Sequence, residues 1–139
     1  MKKRTVLPLV LLVCATVILC CRAAGWKSDR AFAYPDITGI SSSIGRKRCR
    51  VSAEEAQNMT TRALVETVMT YPYLIDMYAF DHPDLWFSGA RELPMFRELL
   101  SREDGLEVLK EEAEKVENDQ LLQLDYHNLI GCVERALQK

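Results

Sequence analysis

Residues 118–137 read NDQLLQLDYHNLIGCVERAL, and this stretch has the clearest helical periodicity in the 139-residue chain. Its apolar residues recur every three or four positions, which is the spacing of one buried face of an α-helix. These residues are Leu122, Tyr126, Leu129, Ile130, Val133 and Leu137. Asn118 and Asp119 precede the stripe, and both are residue types that cap helix N-termini. The pattern therefore predicts a long amphipathic helix that begins after Asp119.

Further helix starts are predicted upstream of this stretch. Ser52-Ala53-Glu54-Glu55 matches a capping box, so a helix is expected to begin near Ala53. Ser101-Arg102-Glu103-Asp104 resembles a second capping box. Three prolines suit the first turn of other helices, because proline lacks the amide hydrogen that a first turn leaves unused. They are Pro72, Pro83 and Pro94.

The sequence shows helical periodicity and no pattern typical of β-strands. No segment alternates apolar and polar residues with the period of two that half-buried strands show. No Asn-Gly or Asp-Gly turn joins two β-branched segments. We therefore predict an all-α domain over residues 51–139, folded as a small irregular or orthogonal bundle of five to six helices.

Charge is strongly segregated along the chain. The total of −2 gives no whole-chain case for nucleic-acid binding. Residues 1–24 carry a net charge of +4, residues 25–50 another +4, and residues 51–139 carry −10. The near-neutral total is therefore the sum of three unlike segments.

Residues 1–24 are predicted to be a signal peptide or a membrane-anchor helix. A basic start, Met1–Arg4, is followed by the uncharged and largely apolar segment Thr5–Cys21. This order of segments is typical of export signals, and the basic flank is expected to stay in the cytoplasm. The rest of the chain is then expected to be exported, to the cell membrane, the cell surface or the extracellular space.

Three fates of this leader are open from the sequence. Cleavage after Ala23 would place Cys21 and Ala23 at the two small-residue positions of a signal-peptidase site. An uncleaved segment 5–21 would span the bilayer at the short end of the spanning range. Cys20 or Cys21 would be the acceptor in a lipoprotein.

Residues 25–50 are predicted to form a basic flexible tether. Their Pro, Gly and Ser content and their lack of periodicity are typical of linkers. The segment ends in four cations, Arg46, Lys47, Arg48 and Arg50. Because export removes the protein from nucleic acid, three interpretations are left: a solvated linker, contact with an anionic envelope surface, or docking against the acidic domain.

Two cysteines, Cys49 and Cys132, would survive removal of the leader. An even number of cysteines in an exported chain permits a disulfide between them. Such a bond would close a long loop, for which chain entropy gives roughly 4–5 kcal/mol of stabilisation. The alternative is two free thiols, with Cys132 buried as a small apolar side chain.

A partner surface is predicted from aromatic and acidic side chains. Seven of the chain's eleven aromatic residues lie between residues 71 and 96. Most are expected in the core, but adjacent aromatics on one helix cannot all point inward. The helix around residues 103–117 carries seven acids against two lysines. The candidate surface residues are Tyr73, Trp86, Phe87, Glu107, Glu111 and Glu114.

The sequence offers no specific catalytic or cofactor motif. His82 and His127 have no metal-ligand spacing, and no Gly-rich phosphate loop or G-x-S-x-G elbow is present. Asp81-His82-Pro83-Asp84 lacks the alternating oxygen ligands of a calcium loop. We therefore expect a non-enzymatic protein without a cofactor or a metal.

Three segments carry a resemblance to a known family: LVETV (residues 64–68), YPYLIDMYA (residues 71–79) and ELLSRED (residues 98–104). They resemble a helical segment of uncharacterised exported proteins from Gram-positive, gut-type bacteria. The similarity covers about residues 61–109, and its motifs are structural. The resemblance implies a helical extracytoplasmic module and no active site.

Two functions are expected from these patterns. The first is an exported, envelope-associated helical protein that acts as a protein-interaction module. The alternative is an immunity-type protein that captures a toxin or peptide at the membrane. Both imply a protein or peptide partner, with the membrane engaged through residues 5–21 if they are retained or lipidated.

Overall fold

The computed structural model describes residues 25, 27–78 and 89–138, with only the backbone described at Tyr78. The described residues form seven helices, and residues 89–92 add a helical turn. The helices are α1 (Ser42–Arg48), α2 (Ala53–Gln57), α3 (Thr61–Met69), α4 (Leu74–Tyr78), α5 (Pro94–Ser101), α6 (Gly105–Glu114) and α7 (Gln120–Leu137). Within these ranges the β-type pairing consists of one isolated parallel bridge between Ser28 and Met59. The predicted all-α class is confirmed. Six of these helices lie within residues 51–139, where five to six were expected, and α1 lies before them.

The predicted leader, residues 1–24, lies outside the described residues. Across the described ranges, every helix falls short of the length and apolar character that crossing a bilayer requires.

The first capping box is confirmed at α2. The Glu55 amide donates to the Ser52 hydroxyl at 3.1 Å, and the Ser52 amide donates to the Glu55 carboxylate at 2.8 Å. Both bonds satisfy amides that the first turn of a helix leaves unpaired.

The helix predicted to begin near Ala53 ends at Gln57, and α3 begins separately at Thr61. Thr60 caps α3 through its hydroxyl, and residues 58–60 turn outward to pair with Ser28. The Thr60 amide donates to the Ser28 carbonyl at 2.8 Å. The division therefore coincides with a local cap at Thr60 and with pairing to Ser28, which is far away in the sequence.

Residues 28–41, termed the strap, pack along α3, which corrects the prediction of a flexible tether. The Phe32 amide donates to Thr67 Oγ1 at 2.9 Å, and the Tyr34 hydroxyl donates to the Thr67 carbonyl at 2.9 Å. Thr67 is fully buried, so these bonds satisfy polar groups that water does not reach. The side chains of Phe32 and Tyr34 also pack against the hydrophobic core. The packed unit therefore begins well before residue 51.

A turn redirects the strap into α1, a helix that linker composition did not predict. Gly39 has a φ of 73°, which favours glycine, and the Ile40 amide donates to the Ile37 carbonyl at 3.0 Å. Helix α1 then packs closely against Tyr73. The Gly45 backbone lies so near the Tyr73 hydroxyl that a Cβ at this position would collide with it.

Helix α3 lies at the centre of the core, where it packs against α5 and α6, and α7 packs against α6 and α5. The most deeply buried apolar side chains of these helices are Leu64, Val65, Val68, Met95, Phe96, Leu99, Leu109, Leu129 and Val133. The predicted stripe on α7 is confirmed at its centre, where Tyr126, Leu129 and Val133 are buried. The prediction is wrong for its last member, because Leu137 is 54% exposed. Cys132, which the predicted stripe did not include, is buried.

Two further helix starts are confirmed and one is wrong, whereas Pro72 lies in the turn just before α4 and Pro83 lies outside the described residues. Pro94 occupies the first turn of α5, and the Asp119 carboxylate accepts hydrogen bonds from two amides of α7. Ser101 does not cap α6. It is the last residue of α5, and its hydroxyl donates to the Glu98 carbonyl at 2.8 Å. The Asp104 carboxylate instead accepts from the Thr61 hydroxyl at 2.8 Å.

The Arg102 side chain connects α2, α3 and α5. It is 6% exposed and forms an ion pair with Glu98, with Nε and Oε1 separated by 3.1 Å. Its guanidinium also donates to Thr61 Oγ1 at 3.2 Å and to the Ala56 carbonyl at 3.1 Å. Arg102 therefore satisfies acceptors from three helices at once.

Gly105 places α6 close to α5, and this contact predicts the effect of a substitution. A Cβ at Gly105 would lie 2.6 Å from the Leu99 carbonyl oxygen, so the backbone would have to shift. We expect Gly105→Ala to lower the free energy of unfolding by about 1–3 kcal/mol, despite the higher helix propensity of alanine. Urea denaturation measures the change.

Gly131 on α7 provides the matched control. A Cβ there would meet nothing within 4 Å. We expect Gly131→Ala to be neutral or to stabilise the protein by up to about 1 kcal/mol. Similar losses for the two variants would contradict the close approach at Gly105.

Candidate functional site

Helix α6 exposes Glu107, Glu111 and Glu114, three of the predicted partner-surface residues. Their spacing of four and three residues puts them on one side of the helix. The opposite side carries the buried Gly105 and Leu109. None of the three glutamates has an ion pair or hydrogen bond to another described side chain. These three side chains are termed the acidic face.

The lysines that border the acidic face are engaged with other acids. Lys110 binds Glu134 and Lys115 binds Glu112, each with a nitrogen–oxygen distance of 2.6 Å. Glu111 and Lys115, whose i,i+4 spacing would allow an ion pair, do not form one. The negative charge of the acidic face is therefore not compensated by the described part of the chain.

Two exposed leucines lie where α7 begins, after the turn that leads out of α6. Leu121 is 76% exposed and Leu124 is 53% exposed, and their spacing of three residues puts them on one side of α7. The Gln123 side chain donates to the Val116 carbonyl, which fixes the start of α7 against the end of α6. Neither leucine was predicted as a surface residue, because both lie off the buried stripe. Their position off that stripe is the signal that would have found them.

The aromatic part of the predicted partner surface is not supported where the structure describes it. Tyr73 is buried, with its hydroxyl against Gly45 and the Arg46 guanidinium carbon 4.6 Å from its ring centroid. Its place in an exposed surface is therefore wrong, because α1 covers it. Trp86 and Phe87 lie outside the described residues.

Four aromatic rings form a continuous series that connects the strap to α1. The ring centroids of Phe32 and Tyr34 are 5.0 Å apart, those of Tyr34 and Tyr71 5.7 Å, and those of Tyr71 and Tyr73 5.8 Å. Arg46 then stacks on Tyr73. Tilted and edge-on pairs at these distances each contribute about 0.5–1.5 kcal/mol beyond burial. The series is therefore a structural link between the strap and α1.

Tyrosine burial predicts how stability depends on pH. Burial raises the pKa of Tyr34, Tyr71 and Tyr126 above the ordinary value, and at Tyr71 the positive charge of Arg46 opposes this rise. The unfolded chain therefore loses these protons at a lower pH than the folded protein. We expect full stability below about pH 10 and a progressive loss as pH rises above it.

Urea denaturation over a series of alkaline pH values tests this expectation, with tyrosinate absorbance recorded in parallel. Tyr34→Phe removes one of the three buried hydroxyls and should reduce the alkaline loss. Tyrosines that all ionise at the ordinary pH without any loss of stability would contradict it.

In the described part of the chain, the cations at the end of the predicted tether form no ion pair with the acidic face. Arg46 forms an ion pair with Asp76 on α4, with Nη2 and Oδ2 separated by 2.8 Å. Lys47, Arg48 and Arg50 are exposed and have no ion pair in the described ranges.

The structure does not contain the disulfide that the sequence permits between Cys49 and Cys132. Cys49 and Cys132 are both free thiols and both are buried. Burial raises the pKa of each thiol, and at Cys132 the neighbouring Arg135 guanidinium, 3.4 Å from Sγ, acts in the opposite direction. Both cysteines therefore belong to the core, which agrees with the alternative of two free thiols.

The strap and α3 also border an open groove of about 640 Å³. It is lined by Asp29, Arg30, Ala31, Phe32, Tyr34, Glu66 and Thr70. Both signs of charge occur on its walls, and it opens broadly to solvent. It therefore has no arrangement that selects one ligand chemistry.

Among the described residues, no group of three or more His, Cys, Asp and Glu side chains is arranged to hold a metal ion. His127 is exposed on α7, and His82 lies outside the described residues.

Comparison with protein-family models, with curated proteins and with solved structures finds no match for this chain. The resemblance to exported helical proteins therefore stays a prediction.

Proposed function

We propose that this is an exported, envelope-associated helical protein that binds a basic segment of a partner protein. The binding surface is the acidic face of α6, extended by the exposed Leu121 and Leu124 of α7. The observation that supports this most is the uncompensated charge of Glu107, Glu111 and Glu114, which persists although lysines lie beside them.

The acidic face is electrostatically unfavourable in the isolated protein. Like charges at helical spacing destabilise a helix by about 0.2–0.5 kcal/mol per pair. A cationic partner segment would remove this repulsion and add pairs that each contribute about 0.2–1 kcal/mol at an exposed site. Binding by charge alone would therefore be modest and sensitive to salt.

The exposed leucines supply the apolar contact that such a complex needs. An apolar side chain that becomes fully buried in an interface contributes about 1.5–3 kcal/mol. A partner that presents cations and apolar residues on one helical face would engage both features. We therefore infer that the partner segment is an amphipathic basic helix.

The location of the protein is proposed from the segment that precedes the described residues. The basic start and the uncharged Thr5–Cys21 segment support export to the cell membrane, the cell surface or the extracellular space. An immunity-type protein would use the same surface, and its partner would then be a basic toxin or peptide.

A charge-reversal variant with a matched control tests the binding surface. The test variant carries Glu107→Lys, Glu111→Lys and Glu114→Lys. The control carries Asp29→Lys, Glu54→Lys and Glu92→Lys, which are exposed acids without an ion pair in the described ranges. Both variants change the net charge by the same amount.

Each protein is chemically cross-linked in intact envelopes, and the cross-linked peptides are identified by mass spectrometry. We expect the wild type and the control to cross-link α6 or α7 to one basic partner segment, and the test variant to lose that product. Equal cross-linking by the two variants, or cross-links that all lie on other surfaces, would contradict the proposal.

A further inference from the structure

Helix α1 has two unlike sides. Gly45 is buried within the helix and Cys49 directly after it, and both face the core. Ile44, Lys47 and Arg48 are exposed, and their spacing of three and four residues puts them on one side of α1. Ile44 is 50% exposed, although it is a large apolar side chain. These three residues, with Arg50 two positions after the end of the helix, are termed the basic face.

The basic face is held in a fixed orientation. The Gly45 backbone lies directly against the Tyr73 side chain. Arg46 stacks on the same ring and binds Asp76 at 2.8 Å. A tether would present its cations in every direction, whereas this helix presents Lys47 and Arg48 together.

The cations of the basic face have no partner in the described part of the chain. Lys47, Arg48 and Arg50 make no ion pair there, although residues 51–139 carry a net charge of −10. Arg46, by contrast, is used internally. The fold therefore leaves three cations and one apolar side chain together in solvent.

We propose that the basic face binds the surface of an anionic phospholipid bilayer. Cations near such a surface contribute about 1 kcal/mol each, so three give a useful but reversible attraction. Viewed down the axis of α1, Ile44 lies between Lys47 and Arg48. Its side chain would enter the interface between headgroups and acyl chains, as apolar residues of membrane-surface helices do. Nucleic acid phosphates would also bind the three cations, but they would offer no apolar environment to Ile44.

This inference rests on the proposed location at the envelope and deepens it. The uncharged segment Thr5–Cys21 precedes α1 by twenty residues, so an anchored or lipidated chain would hold the basic face near a bilayer. An anionic surface would repel the acidic face of α6. One chain would therefore contact the membrane through α1 and keep α6 available to a partner.

Lysine footprinting on the full chain tests the proposal. The protein is reconstituted into vesicles of phosphatidylcholine alone or of phosphatidylcholine with phosphatidylglycerol, and a water-soluble acylating reagent modifies its lysines. We expect acylation of Lys47 to be slowed about fivefold by the anionic lipid and restored by high salt. Lys110 and Lys115, which bind acids elsewhere, should react equally in both vesicles.

Two double variants separate the basic face from general charge. Arg48→Glu with Arg50→Glu should abolish the protection of Lys47. Arg91→Glu with Arg97→Glu alters exposed arginines that have no partner in the described ranges and should leave the protection intact. Equal Lys47 acylation in the two vesicles, or equal loss of protection in both variants, would overturn the proposal. Stronger protection by polyuridylic acid than by anionic vesicles would also overturn it.

Cell fractionation keeps this inference separate from the proposed location. Lys47 protection on vesicles together with a protein found in the cytoplasm would support the lipid-binding face and refute the location. An envelope protein whose Lys47 is unprotected would support the location and refute the lipid-binding face.

Discussion

Arg102→Ala is expected to lower the free energy of unfolding by about 3–5 kcal/mol. The substitution removes a buried cation and leaves Glu98 without its ion-pair partner. It also removes the hydrogen bonds to Thr61 Oγ1 and to the Ala56 carbonyl. Acceptors that lose their partner in a poorly hydrated position keep the full cost of desolvation. Urea denaturation measures the loss.

Arg97→Ala is the matched control, because Arg97 is exposed on α5 and has no partner in the described ranges. Its expected effect is within about 0.5 kcal/mol. Arg102→Lys should give an intermediate loss, because a compact ammonium group does not reproduce the planar fork of donors. If Arg102→Ala and Arg97→Ala destabilise the protein equally, Arg102 does not connect the helices as described.

Tyr34→Ala is expected to lower the free energy of unfolding by about 2–4 kcal/mol, somewhat less than for a fully buried aromatic ring. The ring contacts both Phe32 and Tyr71, and the hydroxyl donates to the Thr67 carbonyl. A residue in a flexible tether would show no such loss. Thermal and urea denaturation of the variant measure it.

Two further variants locate the origin of the Tyr34 effect. Tyr34→Phe keeps the ring contacts and loses the hydroxyl, so a loss of about 1 kcal/mol is expected. Ala33→Ser changes an exposed neighbour in the strap and should stay within about 0.5 kcal/mol of the wild type. A neutral Tyr34→Ala variant would show that the strap contributes nothing to the fold.

The parts of the fold that the sequence predicted are those with local causes. Ser52, Pro94 and Asp119 begin helices through bonds or constraints within their own first turn, so a short window of sequence contains the whole signal. The core positions of α7 were predictable for the same reason, since Tyr126, Leu129 and Val133 follow the helical period.

The strap was not predictable because its causes are remote. Phe32 and Tyr34 are held by Thr67, more than thirty residues away in the sequence. Composition alone favoured a linker, since Pro, Gly and Ser are frequent there. At the break between α2 and α3 the pairing with Ser28 is likewise remote, whereas the Thr60 cap is local.

The residues of the candidate site also divide into those that local spacing predicts and those that depend on remote contacts. Glu107, Glu111 and Glu114 were predictable because helical spacing places them together without reference to other elements. Tyr73 was misassigned because α1, which covers it, was not expected to be a helix. Leu121 and Leu124 were missed, although their position off the buried stripe of α7 could be read from the helical period.

Both functional proposals require residues 28–50 to be packed, because a mobile segment would neither hold the basic face on α1 nor stay clear of the acidic face on α6. Hydrogen exchange of the full chain, followed by mass spectrometry with residue-level fragmentation, tests this directly. The Phe32 amide, which donates to Thr67 Oγ1, and the Cys49 amide, which donates to the Gly45 carbonyl, are the informative positions. We expect both to exchange as slowly as the core amides of α3. Exchange at both positions as fast as in an unfolded chain would contradict the packed strap and the orientation of α1.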